Sequence, residues 1–155
     1  SNSSAASDVY KRQRYREYYE SIRELAESVK DVTLVVRPLH PSEMIRIYRS
    51  ARVYVHMRIG EHFGMAPLEA MSQGVVPVVP RQSGFAEVIK HGICGYTYES
   101  DEECIRYAID NIGSGCRKSN RIAIFISQPF FQFCYIQTYS FCKFVKSIFN
   151  IITAY

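Results

Sequence analysis

Apolar residues along positions 14–112 follow two spacings, and their order predicts the fold class. Ile22, Leu25, Ala26 and Val29 recur at helical spacing, with charged residues between them. Short apolar runs predict strands over 32–36, 53–57, 75–79 and 93–98, and helical patterns separate these runs. Helices that alternate with apolar strands favour parallel pairing with both faces of the sheet covered. The sequence therefore predicts an α/β, Rossmann-like parallel sheet with helices on both faces.

Capping residues mark the predicted helix boundaries. The segment 40–43 places a proline and an acid in the first turn of one helix, and Gly74 ends the next. Ser83 is expected to cap a helix, because a serine before a helical apolar pattern is an ordinary N-cap signal. The segment 100–103 has the spacing of a capping box, which predicts a helix to about residue 112.

Two glutamates, Glu61 and Glu69, flank the segment in which the strand over 53–57 gives way to a helix. Residues 63–65 contain no Ser, Thr, Asp or Asn to cap the first turn, so its leading N–H groups are predicted to meet a ligand. Gly64 lacks the Cβ that would hold a ligand away. Such a helix start attracts anions, and carboxylates accept hydrogen bonds from sugar hydroxyls. With Glu61 in the loop and Glu69 more than one turn inside the helix, the segment indicates a nucleotide-sugar site.

Around these glutamates the chain resembles the family 4 glycosyltransferases of the GT-B fold. In that family a Glu, seven residues and a second Glu lie in the donor-binding domain, and here the match is Glu61 and Glu69. The resemblance continues in order through three further segments, 69–80, 83–89 and 92–96. It covers residues 15–112 and implies half of a GT-B fold, as a domain that is incomplete at its N-terminus.

The resemblance assigns roles to individual residues. It implies that Glu61 is the catalytic residue and contacts the donor-sugar hydroxyls near the anomeric carbon. Glu69 would hold the nucleotide ribose. The backbone of Phe63, Gly64 and Met65 would meet the diphosphate of the donor.

Leu39 and Gly84 complete the donor-binding residues that the resemblance implies. Leu39 follows the first predicted strand, where such enzymes pass the nucleobase, and Gly84 is expected to allow close approach to a ligand. His40, His56 and His91 show no metal-ligand spacing with any Cys or carboxylate, and we interpret them as structural or exposed. No metal and no cofactor is implied, since the nucleotide-sugar is the donor substrate. Charge confined to one end of the chain gives no reason to expect a nucleic-acid partner.

Composition divides the chain into three parts. Residues 14–112 form the predicted domain, and residues 1–13, which show neither strand nor helix pattern, are interpreted as a non-native or disordered leader. Residues 1–112 carry 14 Lys or Arg and 15 Asp or Glu, whereas the tail at 113–155 carries five and none. We favour a translated frameshift for this tail, with a membrane-surface segment and a true variant ending as alternatives. Its apolar runs are too short to span a membrane.

The resemblance implies that the parent protein transfers a sugar from a nucleotide-diphosphate-sugar donor to an acceptor with retention of anomeric configuration. In the family, an Arg and a Lys that neutralise the diphosphate come from a preceding strand and helix, and a separate domain binds the acceptor. Without these groups, we expect the isolated chain to be inactive and at best a weak donor binder. The five cysteines include no C-x-x-C pair, which predicts reduced thiols in a cytoplasmic protein. Peripheral membrane association of the full-length parent stays open.

Two hypotheses from other functional classes stand beside the transferase. One is a non-catalytic nucleotide-binding or interaction module of the same fold, and the other is a sugar-nucleotide epimerase. The presence of both Glu61 and Glu69 favours the transferase lineage. An epimerase would need acid and base groups that the sequence does not reveal.

Overall fold

The computed structural model describes residues 2–29, 32–35, 39–57, 64–112, 121–127, 131–137, 144–147 and 150–151. Its longer helices are α1 (Asn2–Ser28), α2 (Pro41–Ser50), α3 (Ala66–Ser72) and α4 (Asp101–Ile112), and a 3₁₀ helix covers Gly84–Glu87. The strands are β1 (Val32–Val35), β2 (Val53–His56), β3 (Val76–Pro80), β4 (Tyr96–Tyr98), β5 (Arg121–Ser127) and β6 (Phe131–Gln137).

The described strands form one sheet in the order β1-β6-β5-β2-β3-β4. β5, β2, β3 and β4 are parallel neighbours, and Val53 lies opposite Val76 on one side and Ile122 on the other. β6 runs antiparallel to both β5 and β1. The predicted Rossmann-like parallel sheet is therefore confirmed over four adjacent strands, and an antiparallel strand extends it.

Alternation along the central strands divides the core between the two faces of the sheet. Val53 and Val55 belong to a cluster that includes side chains from α1, α4 and residues 144–145. Tyr54, between them, belongs to a second cluster with residues from α2 and α3. Successive side chains of a strand point to opposite faces, so helices cover both faces as predicted.

Local capping explains where α2 begins and α3 ends. The His40 N–H donates to the Glu43 carboxylate at 3.0 Å, and the Ser42 N–H donates to the His40 ring at 3.3 Å, which together form a capping box. Gly74, after α3, has a φ of 74°, a conformation that favours glycine. Both predicted boundaries are confirmed.

The leader differs from the sequence-based expectation in its local structure. Residues 1–13 were expected to show neither strand nor helix, yet α1 begins at Asn2 and continues without a break to Ser28. Lys11, Arg12 and Gln13 are good helix formers, and the Gln13 side-chain amide donates to the Glu17 carboxylate at 3.4 Å, one turn along this helix. The proposal that this leader is non-native stays a prediction.

The tail also contains regular structure. β5 and β6 pair in register from Arg121 opposite Gln137 to Ser127 opposite Phe131. Their place in the sheet is between β1 and β2, which follow one another in the sequence. The frameshift origin of residues 113–155 stays a prediction, and it is separate from the observation that part of this segment joins the sheet.

Candidate functional site

The structure describes five of the predicted donor-binding residues: Leu39, Gly64, Met65, Glu69 and Gly84. Glu61 and Phe63 fall in the segment 58–63, which lies outside the described residues. The site is therefore defined by the elements on either side of that segment.

Leu39, Gly64 and Gly84 lie at one edge of the sheet. They follow β1, β2 and β3 respectively. β2 and β3 are parallel, and β1 runs in the same direction because the antiparallel β6 lies between it and β5. We call the ends of β1, β2, β3 and the parallel β4, together with the described residues that follow them (39–44, 64–69, 81–87 and 99–104), the carboxyl edge. Ligands of open α/β sheets bind at such an edge.

Leu39 and the start of α3 are joined through one hydrophobic cluster. Both Leu39 and Ala66 pack against buried residues that include Tyr48, Tyr54 and Ala70. Two strands separate β1 from β2 in the sheet, yet this packing places the residue after β1 and the helix after β2 on the same cluster. The structure thus brings two of the predicted donor-binding segments together on one face.

The start of α3 has the predicted lack of a side-chain cap. Met65 occupies the N-cap position with φ −79° and ψ −23°, and no side-chain hydrogen bond caps the helix. The first helical bond runs from the Glu69 N–H to the Met65 carbonyl at 2.9 Å. Pro67, in the first turn, is buried and has no N–H to satisfy. The helix is only seven residues long, so its dipole contributes less than that of a long helix.

Glu69 lies in the first turn of α3. The expectation that it sits more than one turn inside the helix is wrong, because Met65 is the N-cap and the helix begins at Ala66. Its side chain is exposed, and its carboxylate lies close enough to the buried Tyr48 of α2 to contribute to the raised pKa of that phenol. Burial, with a smaller contribution from Glu69, raises the pKa of Tyr48 well above 10.0. An exposed carboxylate held beside α2 can accept hydrogen bonds from a ligand at this edge.

Ser83 does not cap a helix as predicted. Its hydroxyl donates to the Pro80 carbonyl at 2.6 Å, and no side-chain cap bond forms at the start of the 3₁₀ helix. This bond folds the chain back on the end of β3, so Gly84 begins a short turn instead of an α-helix. Phe85, the next residue, is completely buried against His56, with 4.9 Å between ring centroids.

His56, which the sequence analysis interpreted as structural or exposed, is a buried supporting residue of the carboxyl edge. It ends β2, and its side chain is only 1% exposed. Its Nδ1 lies 3.0 Å from the Tyr54 hydroxyl, and its carbonyl accepts a hydrogen bond from the Tyr98 hydroxyl at 2.8 Å. Together with Phe85, these contacts join β2, β4 and the 3₁₀ helix. The available sequence signal was weak: a histidine two residues after a tyrosine on a buried strand.

Neither a group of metal-ligating side chains nor a membrane-spanning helix is found among the described residues. There, no three His, Cys, Asp or Glu side chains are grouped so that they could hold a metal ion. Among the same residues, no helix combines the length and the apolar character needed to cross a bilayer.

A model of the group 1 glycosyl transferases matches residues 14–121, which is most of the chain and includes every predicted site residue. The chain belongs to this family. This confirms the resemblance drawn from the glutamate pair and the segments that follow it.

One relative of this glycosyl transferase domain is an uncharacterised glycosyltransferase from Methanocaldococcus jannaschii. The two are 35% identical over 68 residues, which cover 43% of this chain. The match spans only 17% of the length of that curated relative. No solved structure matches the chain.

Proposed function

We propose that the protein containing this domain transfers a sugar from a nucleotide-diphosphate-sugar donor to an acceptor, with retention of anomeric configuration, and that this domain binds the donor. The observation that carries the proposal is the position of Leu39, Gly64 and Gly84 at one carboxyl edge of a group 1 glycosyl transferase domain. Three loops that meet at such an edge can surround a single extended ligand.

In this proposal the donor lies across the carboxyl edge with its parts on different loops. The base lies toward Leu39, the ribose hydroxyls donate to Glu69, and the diphosphate meets the backbone at Phe63, Gly64 and Met65. Glu61 contacts the sugar hydroxyls near the anomeric carbon, and Gly84 lets the ligand approach the loop after β3. The exposure of Glu69 supports the ribose role, because its carboxylate is accessible to a ligand at the carboxyl edge.

The proposal separates donor binding from sugar transfer. The acceptor is bound by parts of the parent protein other than residues 14–112, so the 155-residue chain is expected to bind donor without turnover. Hydrogen bonds and cations that stabilise the leaving diphosphate interact with it more strongly as negative charge develops on it during the reaction. A domain that supplies only part of that stabilisation binds the diphosphate weakly and does not accelerate its departure.

Calorimetric titration of the chain with UDP, GDP and ADP, and with the matching monophosphates, tests the proposal. We expect at least one diphosphate to bind, and to bind more tightly than its monophosphate. Glu69→Ala should weaken that binding by about tenfold, the effect of losing a hydrogen bond to a charged group. Glu24→Ala, which removes an exposed carboxylate from α1, is the matched control and should leave affinity unchanged.

Three results would count against the proposal. If no diphosphate binds, or if the Glu69 and Glu24 variants bind alike, the carboxyl edge is not a donor site. If the diphosphate binds as expected but the full-length parent transfers no sugar from any nucleotide-sugar, the domain is the non-catalytic nucleotide-binding module instead.

A further inference from the structure

Arg81 is a cation fixed at the carboxyl edge for which the proposed donor site has no role. It follows Pro80, the last residue of β3. Its N–H donates to the Tyr98 carbonyl at 2.8 Å, which continues the pairing of β3 with β4 by one residue beyond the register of Pro80 with Tyr98. One backbone hydrogen bond therefore ties Arg81 to the end of β4.

The side chain of Arg81 points to the face of the sheet that carries α3 and the 3₁₀ helix. Val79, two residues earlier, packs with Phe85 and Ile89 on that face. Strand alternation places Arg81 on the same side. Its Nη1 lies 3.0 Å from the Glu99 carboxylate, and the two side chains are 48% and 58% exposed. The guanidinium is thus oriented by a neighbour yet accessible to solvent.

The charge around Arg81 is otherwise negative. Each of the four described helices that begin at the carboxyl edge carries at least one acid in its first turn. In the described loops and first turns of this edge, residues 39–44, 64–69, 81–87 and 99–104, Arg81 is the one Lys or Arg. A diphosphate carries negative charge and would be repelled by an edge made only of carboxylates. Among the described residues of this edge, Arg81 is therefore the cation that could offset the charge of such a ligand.

We propose that Arg81 is a further donor-binding residue, which contacts a phosphate oxygen of the donor diphosphate while Glu99 orients its guanidinium. This inference rests on the proposed function. Guanidinium carries five N–H donors in a planar fork, so the bond from Nη1 to Glu99 leaves enough donors for a phosphate oxygen. Arg81 then provides part of the neutralisation that a diphosphate leaving group requires.

Titration of the full 155-residue chain with UDP and GDP, and with UMP and GMP, tests this role. Arg81→Gln should weaken binding of the preferred diphosphate by roughly fivefold. This loss is smaller than that expected for a buried hydrogen bond between charged groups, because the Arg81 side chain is about half exposed. The monophosphate should be affected less, and the dependence of diphosphate affinity on salt should become shallower. Arg106→Gln is the matched control: Arg106 lies on α4, is 60% exposed and also pairs with a glutamate. It should leave affinity unchanged.

Glu99→Gln separates ligand binding from a purely structural ion pair. The amide oxygen of Gln can still accept from Nη1 and orient the guanidinium, so Glu99→Gln removes only the negative charge. If Arg81 binds the diphosphate, Glu99→Gln therefore leaves affinity equal or higher, whereas Arg81→Gln lowers it. If the ion pair only stabilises the fold, Arg81→Gln and Glu99→Gln both lower the thermal midpoint, and both bind the diphosphate as Arg106→Gln does. That result would overturn the inference. Loss of affinity in Glu69→Ala without loss in Arg81→Gln overturns the role of Arg81 alone. Absence of diphosphate binding to the unmodified chain overturns the proposed function and this inference together.

Discussion

At the scale of single residues, buried polar groups hold the carboxyl edge in place. The Tyr98 hydroxyl bonds to the His56 carbonyl, and the Tyr54 hydroxyl bonds to the His56 ring. Polar groups this deeply buried must keep their partners, because an unsatisfied one costs about 1–3 kcal/mol. These side chains therefore fix the end of β2.

Burial of titratable groups predicts that the fold weakens at alkaline pH. Burial is the main cause that raises the pKa of the Tyr98 phenol well above 10.0 and of the Cys104 thiol well above 9.0. The unfolded chain loses these protons first as pH rises, so the stabilisation is complete below pH 9.0 and is lost progressively above it. We expect the free energy of unfolding, measured with urea, to fall as pH rises from 9.0.

Cys104→Ala is the control for this prediction. The variant loses packing at every pH, but the part of the alkaline decline that begins nearest pH 9.0 should become shallower, because it no longer has the buried thiol whose pKa the fold raises from 9.0. An unfolding free energy that stays constant through this range would show that neither group is protected by the fold.

Residue-scale predictions succeeded where the chemistry of a side chain is set by its near neighbours in sequence. The uncapped start at Met65 was predicted because the absence of a capping residue is visible in the sequence. Glu69 was predicted to lie more than one turn inside the helix and lies in its first turn, since the exact start of a helix depends on φ and ψ values that the sequence does not specify. The burial of His56 depends on Phe85 and Tyr98, which are distant in sequence.

At the scale of elements, local capping predicts a measurable share of stability. The His40 N–H donates to Glu43 at 3.0 Å, and the Ser42 N–H donates to the His40 ring. Glu43→Ala removes the acceptor of the first bond and should lower the free energy of unfolding by about 1 kcal/mol. Urea denaturation measures this difference.

Glu43→Gln controls for charge at the same position. The amide oxygen of Gln can still accept from the His40 N–H, so this variant should recover most of the loss and forfeit only the interaction of charge with the helix dipole. Equal losses in Glu43→Ala and Glu43→Gln would show that the negative charge, rather than the hydrogen bond, stabilises α2.

Elements with strong local signals were predicted, and those that depend on distant partners were not. The capping box of α2 and Gly74 after α3 mark boundaries that a sequence can show. Ser83 is an exception, because its hydroxyl donates to the Pro80 carbonyl three residues earlier, a local bond that competes with helix capping. β5 and β6 could not be predicted from composition, since their pairing with β2 and β1 joins segments far apart in the chain.

At the scale of the whole molecule, the central question is what fills the sheet between β1 and β2. β5 and β6 occupy that position, and the side chains of Ile122, Ala123 and Ile124 are completely buried. Phe144 and Val145, farther along the tail, are completely buried in the cluster beneath α1 and α4. Without these residues, β2 would lose a hydrogen-bonded neighbour and both clusters would lose apolar contacts.

Truncation after Ile112 is therefore expected to unfold the chain. Each large apolar side chain that is removed from water stabilises the fold by about 1.5–3 kcal/mol, and four such residues of the tail together approach the 5–15 kcal/mol that holds a typical domain. Circular dichroism and NMR dispersion of residues 1–112 should show loss of sheet and of a packed core.

Ile124→Ala in the full chain tests the same burial by a single substitution and should lower the free energy of unfolding by about 2–5 kcal/mol. Should residues 1–112 stay folded with unchanged stability, and Ile124→Ala cost nothing, the tail would be dispensable to the sheet, as a frameshifted segment would be.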